Sequence, residues 1–549
     1  MRTHSDMTPI QKFDVVVVGA GFAGMYALHY LRNLGFSVRV LEIAKDVGGT
    51  WYWNRYPGAR CDVASLEYSY QFSEELQQQW HWSEKYAAQA EILEYANHVA
   101  DRFDLHRDIQ FNTHVNAMHF IAANVSANNR GNDGDSWRIT TDNGEVFQAQ
   151  FCIMATGCLS SINIPDFPGL DEFEGPLLHT GKWSHQDVDF VGKRVGMIGT
   201  GSSAIQIAPL IAAQADSLTI FQRTASYSIP AHNASMDADH ERTIKADYSR
   251  FREQNSQRYA ALDNNPNSVS ALEVPAAERE SSYQQRWDAG GLPVLASFND
   301  LATSLEANKT AAEFIRNKIR GIVKDPIVAE LLCPQTVMGC KRLCVDSDYY
   351  QTFNRDNVSL VDVNACPIEG ITGAGIKTAE KEYEFDILIM ATGFDAMTGA
   401  LLGIDIRGRQ GLSLREKWQH GPKNYLGLAV HGFPNFFTIT GPGSPSVLAN
   451  MIVAIEQHVE WIGDCLQHLR ENSVATIEAS SKAETRWVRL VNKIANRTLF
   501  PSGCNSWYTG ANIPGKPRIF MPYLGYPSYV EKCEQVANSG YRGFELRRL

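Results

Sequence analysis

Two glycine-rich loops are the segments of this chain whose residue types and spacing point most clearly to chemistry. The first reads Gly19-Ala20-Gly21-Phe22-Ala23-Gly24 and the second Gly199-Thr200-Gly201-Ser202-Ser203-Ala204. In such a loop the first glycine permits a tight turn and the second lets backbone approach a pyrophosphate. The small third residue lets a helix pack on a strand. The pyrophosphate meets the N–H groups at the start of that helix, where the dipole favours an anion. The strands that follow the loops end differently. Glu42 closes the strand after the first loop, placed to accept hydrogen bonds from a ribose 2′-OH. Arg223 and Thr224 close the strand after the second. An acid there would repel a 2′-phosphate, whereas an arginine pairs with it bidentately. One acid and one arginine suggest FAD at the first loop and NADPH at the second. A purely structural glycine turn and a solvent-facing Arg223 are the bland alternatives.

A flavin reduced by NADPH must pass its electrons on. Disulfide reductases do so through C-x-x-C or C-x-x-x-x-C, and neither spacing occurs among the ten cysteines. Cys340 and Cys344 come closest, but Lys341 and Arg342 lie between them. The cysteines read as reduced thiols, and no Cys/His cluster has metal-site spacing. The electron acceptor is then dioxygen, a quinone or a small molecule.

The elements that must hold these loops are legible in outline. Each loop sits in a βαβ unit: "FDVVVVGAGFAGMYALHYLRNLGFSVRVLE" and "KRVGMIGTGSSAIQIAPLIAAQADSLTIFQR". A second echo, "FCIMATGCLS" and "DILIMATGFD", marks where the chain leaves the first domain and later returns. The expected fold is α/β, with two Rossmann-like dinucleotide-binding domains, for FAD and NADP, the second inserted in the first, and a helical insertion. The boundaries expected are residues 1–157 and 391–549 for the FAD domain and 158–231 and 336–390 for the NADP domain, with the insertion at 232–335. That insertion reads equally as a surface subdomain or a lid.

Bulk properties narrow the class. A chain of 549 residues predicts two or three domains. Its net charge of −11 gives no footprint for nucleic acid or anionic membrane. The start, "MRTHSDMTPIQKF", has no apolar secretory core, so a cytoplasmic protein is expected. No membrane span is expected, and the oligomeric state is left open, a monomer included.

"GGTWYWNRYPGARCD", from Gly48 to Asp62, resembles a signature of the flavoprotein Baeyer–Villiger monooxygenases, [A/G]-G-x-W, four residues, [F/Y]-P-[G/M], three residues, D. Gly48, Gly49, Trp51, Tyr56, Pro57, Gly58 and Asp62 match it. "FEGPLLHTGKWS" matches the family's linker pattern through Phe173, Gly175, His179 and Trp183, with Ser184 in place of the usual closing Pro or Asp. Trp183 separates it from the related N- and S-oxygenating flavin monooxygenases. The likeness covers nearly the whole chain and is greatest to the phenylacetone and steroid monooxygenase group.

The resemblance implies FAD and NADPH as cofactors and a ketone and O2 as substrates. A flavin C4a-peroxide would attack the carbonyl, giving an ester or lactone. It implies Arg342 as the active-site cation and Asp62 as its partner. Arginine suits that task because its charge is permanent. Gly49, Thr50, Trp51 and Asp62 would contact the flavin side. Lys341 would join Arg223 and Thr224 at the 2′-phosphate, and Trp507 in "NSWYTGAN" would close over the nicotinamide. Gly19, Gly21, Gly24, Glu42, Gly199, Gly201, Ser202 and Ser203 complete the cofactor set. His179, read alone, is a satisfied structural histidine whose task is linker hydrogen bonding. No metal is expected. An NADPH-dependent flavin reductase or oxidase, an N- or S-oxygenating enzyme, and a non-catalytic nucleotide-binding regulator remain as alternatives.

Overall fold

The computed structural model describes residues 9–123, 134–264, 267–518, 521 and 523–548. The first part of the chain forms β1 (Ile10–Val18), β2 (Val38–Leu41), β3 (Ile109–Gln110), β4 (Val115–Ile121), β5 (Ser136–Thr141) and β6 (Val146–Met154). The middle adds β7 (Leu177–His179), β8 (Arg194–Ile198), β9 (Ser217–Gln222), β10 (Val358–Asp362) and β11 (Ile387–Met390). The chain then returns with β12 (Asp405–Arg407) and β13 (Phe436–Thr438).

These strands make two sheets. The first runs β12-β4-β5-β6-β1-β2-β3, with β13 also paired to β6, eight strands in all. The second runs β10-β9-β8-β11-β7, and all its pairs are parallel. The mixed α/β architecture is the one expected; the first sheet has a parallel core with β5 antiparallel to β4 and β6, the second is all parallel, and the second sheet interrupts the first.

Burial explains the apolar runs. Val15 and Val17 of β1 enter one core, while Val16 and Val18 enter another on the opposite face. A strand covered on both faces is apolar at every position, as parallel strands between helical layers are. Ile387 and Ile389 of β11 likewise face one core and Leu388 and Met390 another.

The segment expected as a surface subdomain or lid packs on two cores rather than forming one unit. Helices Ala238–Ala246 and Tyr248–Ser256 lie on the first domain, where Tyr248 is buried in its core. Arg252 there donates to Glu67 O at 2.8 Å and Ser69 Oγ at 2.7 Å. Helices Ala276–Ala289 and Leu305–Ile322 instead bury Tyr283, Phe314 and Ile315 in the core of the second domain. Charged sequence with helical spacing shows that helices form; it does not show which core receives their few apolar residues. Among the described residues, no helix is long and apolar enough to cross a membrane.

Candidate active site

Each glycine loop is shaped by the strand next to it. Gly19 has φ +104°, and a Cβ there would lie 2.6 Å from the Ala155 carbonyl oxygen. Gly199 has φ +117°, and a Cβ there would lie 2.3 Å from the Ala391 carbonyl oxygen. Both features exclude any other residue. Ala155 N and Ala391 N donate to Val18 O and Ile198 O, each at 2.9 Å. The Ala-Thr-Gly echo thus marks two copies of one contact, a strand end pressed against the first glycine of each loop.

Both loops fit a dinucleotide. Helix α1 (Phe22–Asn33) starts at Gly21 with no side-chain cap and no acid in its first turn, although Phe22, Ala23 and Gly24 are buried. Buried N–H groups at a helix start need an acceptor, and a pyrophosphate supplies one. Helix α2 (Ser202–Ala212) starts at Gly201 in the same way. A Cβ on Gly201 would meet nothing within 4 Å, so the space in front of that helix is open. Glu42 is buried beside the first loop, where its carboxylate accepts from Ala20 N at 2.5 Å and Ala44 N at 2.7 Å. Burial pushes its pKa up, against the pull of these backbone donors.

At the second loop Thr200 Oγ1 donates to Thr224 O at 2.8 Å and Asn364 Nδ2 donates to Arg223 O at 2.7 Å. Arg223 is exposed and Lys341 is half-buried. The Lys341 pKa is lowered, first by burial and then by the positive charge of Arg223. Two cations close enough to repel suit a multiply charged anion. Ser202 Oγ lies 3.3 Å from Cys344 Sγ, and Ser203 lies beside the Tyr56 side chain.

The segment Gly48–Asp62 bridges the two domains. Gly48 N donates to Ala20 O at 3.1 Å, so its start rests on the first loop. Trp51 is buried and its indole N–H donates to Tyr68 at 3.2 Å, while Thr50 is exposed at the head of a short helix. Tyr56 OH donates to Gln206 Oε1 of α2 at 2.7 Å. At the segment's end, Asp62 accepts from Arg342 Nη2 at 2.7 Å and from Nε at 2.8 Å.

Arg342 Nη1 also donates to Val447 O at 3.0 Å, and the Tyr508 side chain lies beside the guanidinium. Burial works against the guanidinium charge, but Asp62 and Tyr508 outweigh it and hold the pKa well above the ordinary arginine value. About a quarter of each side chain of the Asp62–Arg342 pair stays accessible, 25% and 24%. Val447, whose carbonyl Arg342 meets, belongs to an apolar cluster with Cys158, Met397 and Met521, and Trp507 packs against the same cluster with its ring edge-on to Tyr508.

The linker motif lies at the edge of the second sheet. Phe173 packs partly buried under that sheet, and Gly175 abuts the Asp386 carbonyl. His179 is buried, with Nδ1 accepting from Gly181 N at 3.0 Å and Nε2 3.3 Å from both Asn163 O and Thr392 Oγ1. Burial lowers its pKa, so the ring is neutral with its proton on Nε2. Trp183 is buried in the second core, and its backbone N–H donates to Trp53 O at 3.3 Å, across to the bridging segment.

Sequence reasoning missed two features. Tyr508 stands beside Trp507 in the sequence with nothing to mark it as a partner of Arg342. The reading of all cysteines as reduced thiols is corrected: Cys340 and Cys504 form a disulfide, with Cα atoms 6.1 Å apart and 164 residues between them, and eight other cysteines are free and buried. The pair meets only because the turn before Cys504 packs on the turn before Cys340, a long-range contact that no local spacing encodes.

A family model for flavin-binding monooxygenase-like proteins matches residues 12–237. A Baeyer–Villiger monooxygenase of Pseudooceanicola batsensis is 42% identical over 546 residues, covering 98% of this chain and 97% of that protein. The structure of an oxidised steroid monooxygenase bound to NADP superposes with a TM-score of 0.92 at 48% identity, over 98% of this chain and 100% of that one. The complex of OTEMO with FAD and NADP superposes with a TM-score of 0.92 at 38% identity, over the same shares.

Proposed function

The chain belongs to the Baeyer–Villiger monooxygenases of the flavin-binding monooxygenase-like family, and on that premise we propose that Arg342, held by Asp62 among apolar walls, is the cation that supports oxygenation of an apolar ketone. FAD and NADPH are its cofactors. The overall reaction consumes a ketone, NADPH, a proton and O2, and gives an ester or lactone, NADP+ and water. FAD, reduced by NADPH, supplies the activation of dioxygen.

The chain's own residues have separable tasks in this reading. The uncapped starts of α1 and α2 bind the two pyrophosphates, and Arg223, Thr224 and Lys341 take the 2′-phosphate. Arg342 presents a permanent charge where negative charge develops on oxygen. Asp62 fixes the plane and direction of that guanidinium through two hydrogen bonds. Met397, Val447 and Met521 exclude water, which strengthens the field of the arginine and favours an apolar substrate. The bridging segment and the Trp183–Trp53 contact link the two domains, so a change at one loop reaches the other.

The observation that carries this reading is the two-point Asp62–Arg342 contact at the end of the segment that starts on the first dinucleotide loop. A ketone panel with NADPH consumption and product mass spectrometry tests it on the wild-type enzyme and Arg342→Ala. The expected result is ester or lactone from the wild type, and NADPH oxidation with almost no ester from the variant. Equal ester yield from both would remove Arg342 from the role proposed.

A further inference from the structure

Cys340 stands two residues before Arg342, and Cys504 stands three before Trp507 and four before Tyr508. Their disulfide therefore ties together the two segments that meet at the guanidinium. The segments are packed as well as bonded. A Cβ on Gly503 would lie 2.9 Å from Val337 Cβ and 3.1 Å from Cys340 Cβ, and one on Gly339 would lie 2.9 Å from the Phe500 ring.

The two sides of the bond are not equally fixed. On one side Met338 N donates to the buried Asn308 Oδ1 at 3.0 Å, and Asn308 Nδ2 donates to Met338 O at 2.9 Å. That side is anchored to helix Leu305–Ile322. On the other side the N–H groups of Thr509 and Ala511 donate to Ser506 O, and that of Gly510 donates to Trp507 O, all within the loop. Outside itself the segment is tied through side chains, by Asn512 Nδ2 to Phe394 O at 2.9 Å and Lys516 Nζ to Ala396 O at 2.7 Å, so its amides open at lower free energy than those anchored to a helix unless a covalent bond holds it.

Resting on the function proposed above, we propose that Cys340 and Cys504 form a reversible thiol–disulfide couple that fastens the loop bearing Trp507 and Tyr508 to the segment bearing Arg342. The redox poise of low-molecular-weight thiols then governs how much NADPH consumption ends in oxygenated product. Cys504, less buried than Cys340, is the sulfur that meets the small disulfide. Its thiolate attacks RS–SR and releases one RSH, giving a mixed disulfide; Cys340 then displaces the second RSH. Two protein thiols are oxidised, one small disulfide is reduced, and the two thiol protons leave on the released thiols.

The test uses the FAD-loaded full-length enzyme equilibrated with glutathione disulfide or with dithiothreitol. Alkylation and peptide mapping establish the state of both cysteines. Amide hydrogen exchange of residues 504–511 and the ester formed per NADPH consumed are then read in each state. Reduction is expected to speed exchange in that loop about tenfold or more and to lower ester per NADPH about threefold or more. Glutathione disulfide should restore both. Cys504→Ser should behave as the reduced enzyme under both conditions. A free Cys340–Cys504 pair after treatment with glutathione disulfide, or equal exchange and equal coupling in the two states, would overturn the proposal. Absence of ester in both states would instead contradict the Baeyer–Villiger reading, and the exchange contrast would still decide the tether.

Discussion

Asp62 and Arg342, 280 residues apart in sequence, meet in a two-point contact of 2.7 and 2.8 Å that joins the bridging segment of the first domain to the second. Lysine cannot reproduce it, since a single ammonium lacks the guanidinium fork. Removing a preorganised charge from a reacting centre costs about 10²–10³ in rate. Arg342→Ala is expected to lose about that much ester formation while FAD still binds and is still reduced by NADPH. Arg342→Lys should recover only a small part of the loss. Asp62→Ala should be milder, since Asp62 acts by orienting Arg342. Rapid mixing of the variants with NADPH, and then with oxygen, separates the two half-reactions; slow reduction by NADPH as the main defect would contradict the assignment.

Coenzyme choice should follow the two cations at the second loop. A charge-assisted hydrogen bond contributes about 1.5–3 kcal/mol. Arg223→Ala and Lys341→Ala are each expected to lower kcat/KM for NADPH about 10- to 100-fold and to change that for NADH much less. Equal losses with both coenzymes would point to general damage.

Gly58 tests the bridge between domains. It has φ +81°, and a Cβ there would lie 2.7 Å from Gln206 O and 2.9 Å from Leu210 Cδ1 of α2. Gly58→Ala should push α2 away from the bridging segment. The displacement falls on the helix of the second loop and leaves the first, so FAD content should hold while ester formed per NADPH falls. Unchanged product yield would show that this contact does not couple the domains.

Glu456 gives a pH dependence of stability with a definite sign. It is fully buried, and burial raises its pKa from 4.5 to about 8 against donation from Gln71 N and Phe72 N. A carboxyl whose pKa is raised on folding contributes stability that is complete below 4.5 and is lost as pH rises through about 8. Glu456→Gln removes that loss. The Tm difference, variant minus wild type, should therefore grow from pH 4.5 to about pH 8 and level off above it, as read by thermal unfolding. A difference independent of pH would mean that Glu456 does not titrate in this window.

The parts of the fold and site legible in the sequence are those where backbone sterics leave few residue types. Gly19 and Gly199 are such places, and the Ala-Thr-Gly echo follows from them because each copy presses on one of these glycines. The bridging segment was legible because it must satisfy both domains at once, through Gly48 at one end and Asp62 at the other. Tyr508 was not, because a buried tyrosine on a loop is used mostly for packing and only its approach to Arg342 sets it apart. The Cys340–Cys504 pair and the docking of helix Tyr248–Ser256 on the first domain were hidden for a shared reason. Both are contacts between distant segments, set by how whole elements pack.

Turnover of a ketone under ¹⁸O2 with a stoichiometric count of NADPH decides whether this chain oxygenates ketones through Arg342. An ester or lactone carrying one ¹⁸O atom is expected, with one NADPH consumed per product and the label absent when Arg342 is replaced by alanine. Hydrogen peroxide accumulating beside unchanged ketone across the panel, with the wild-type enzyme loaded with FAD, would contradict that expectation.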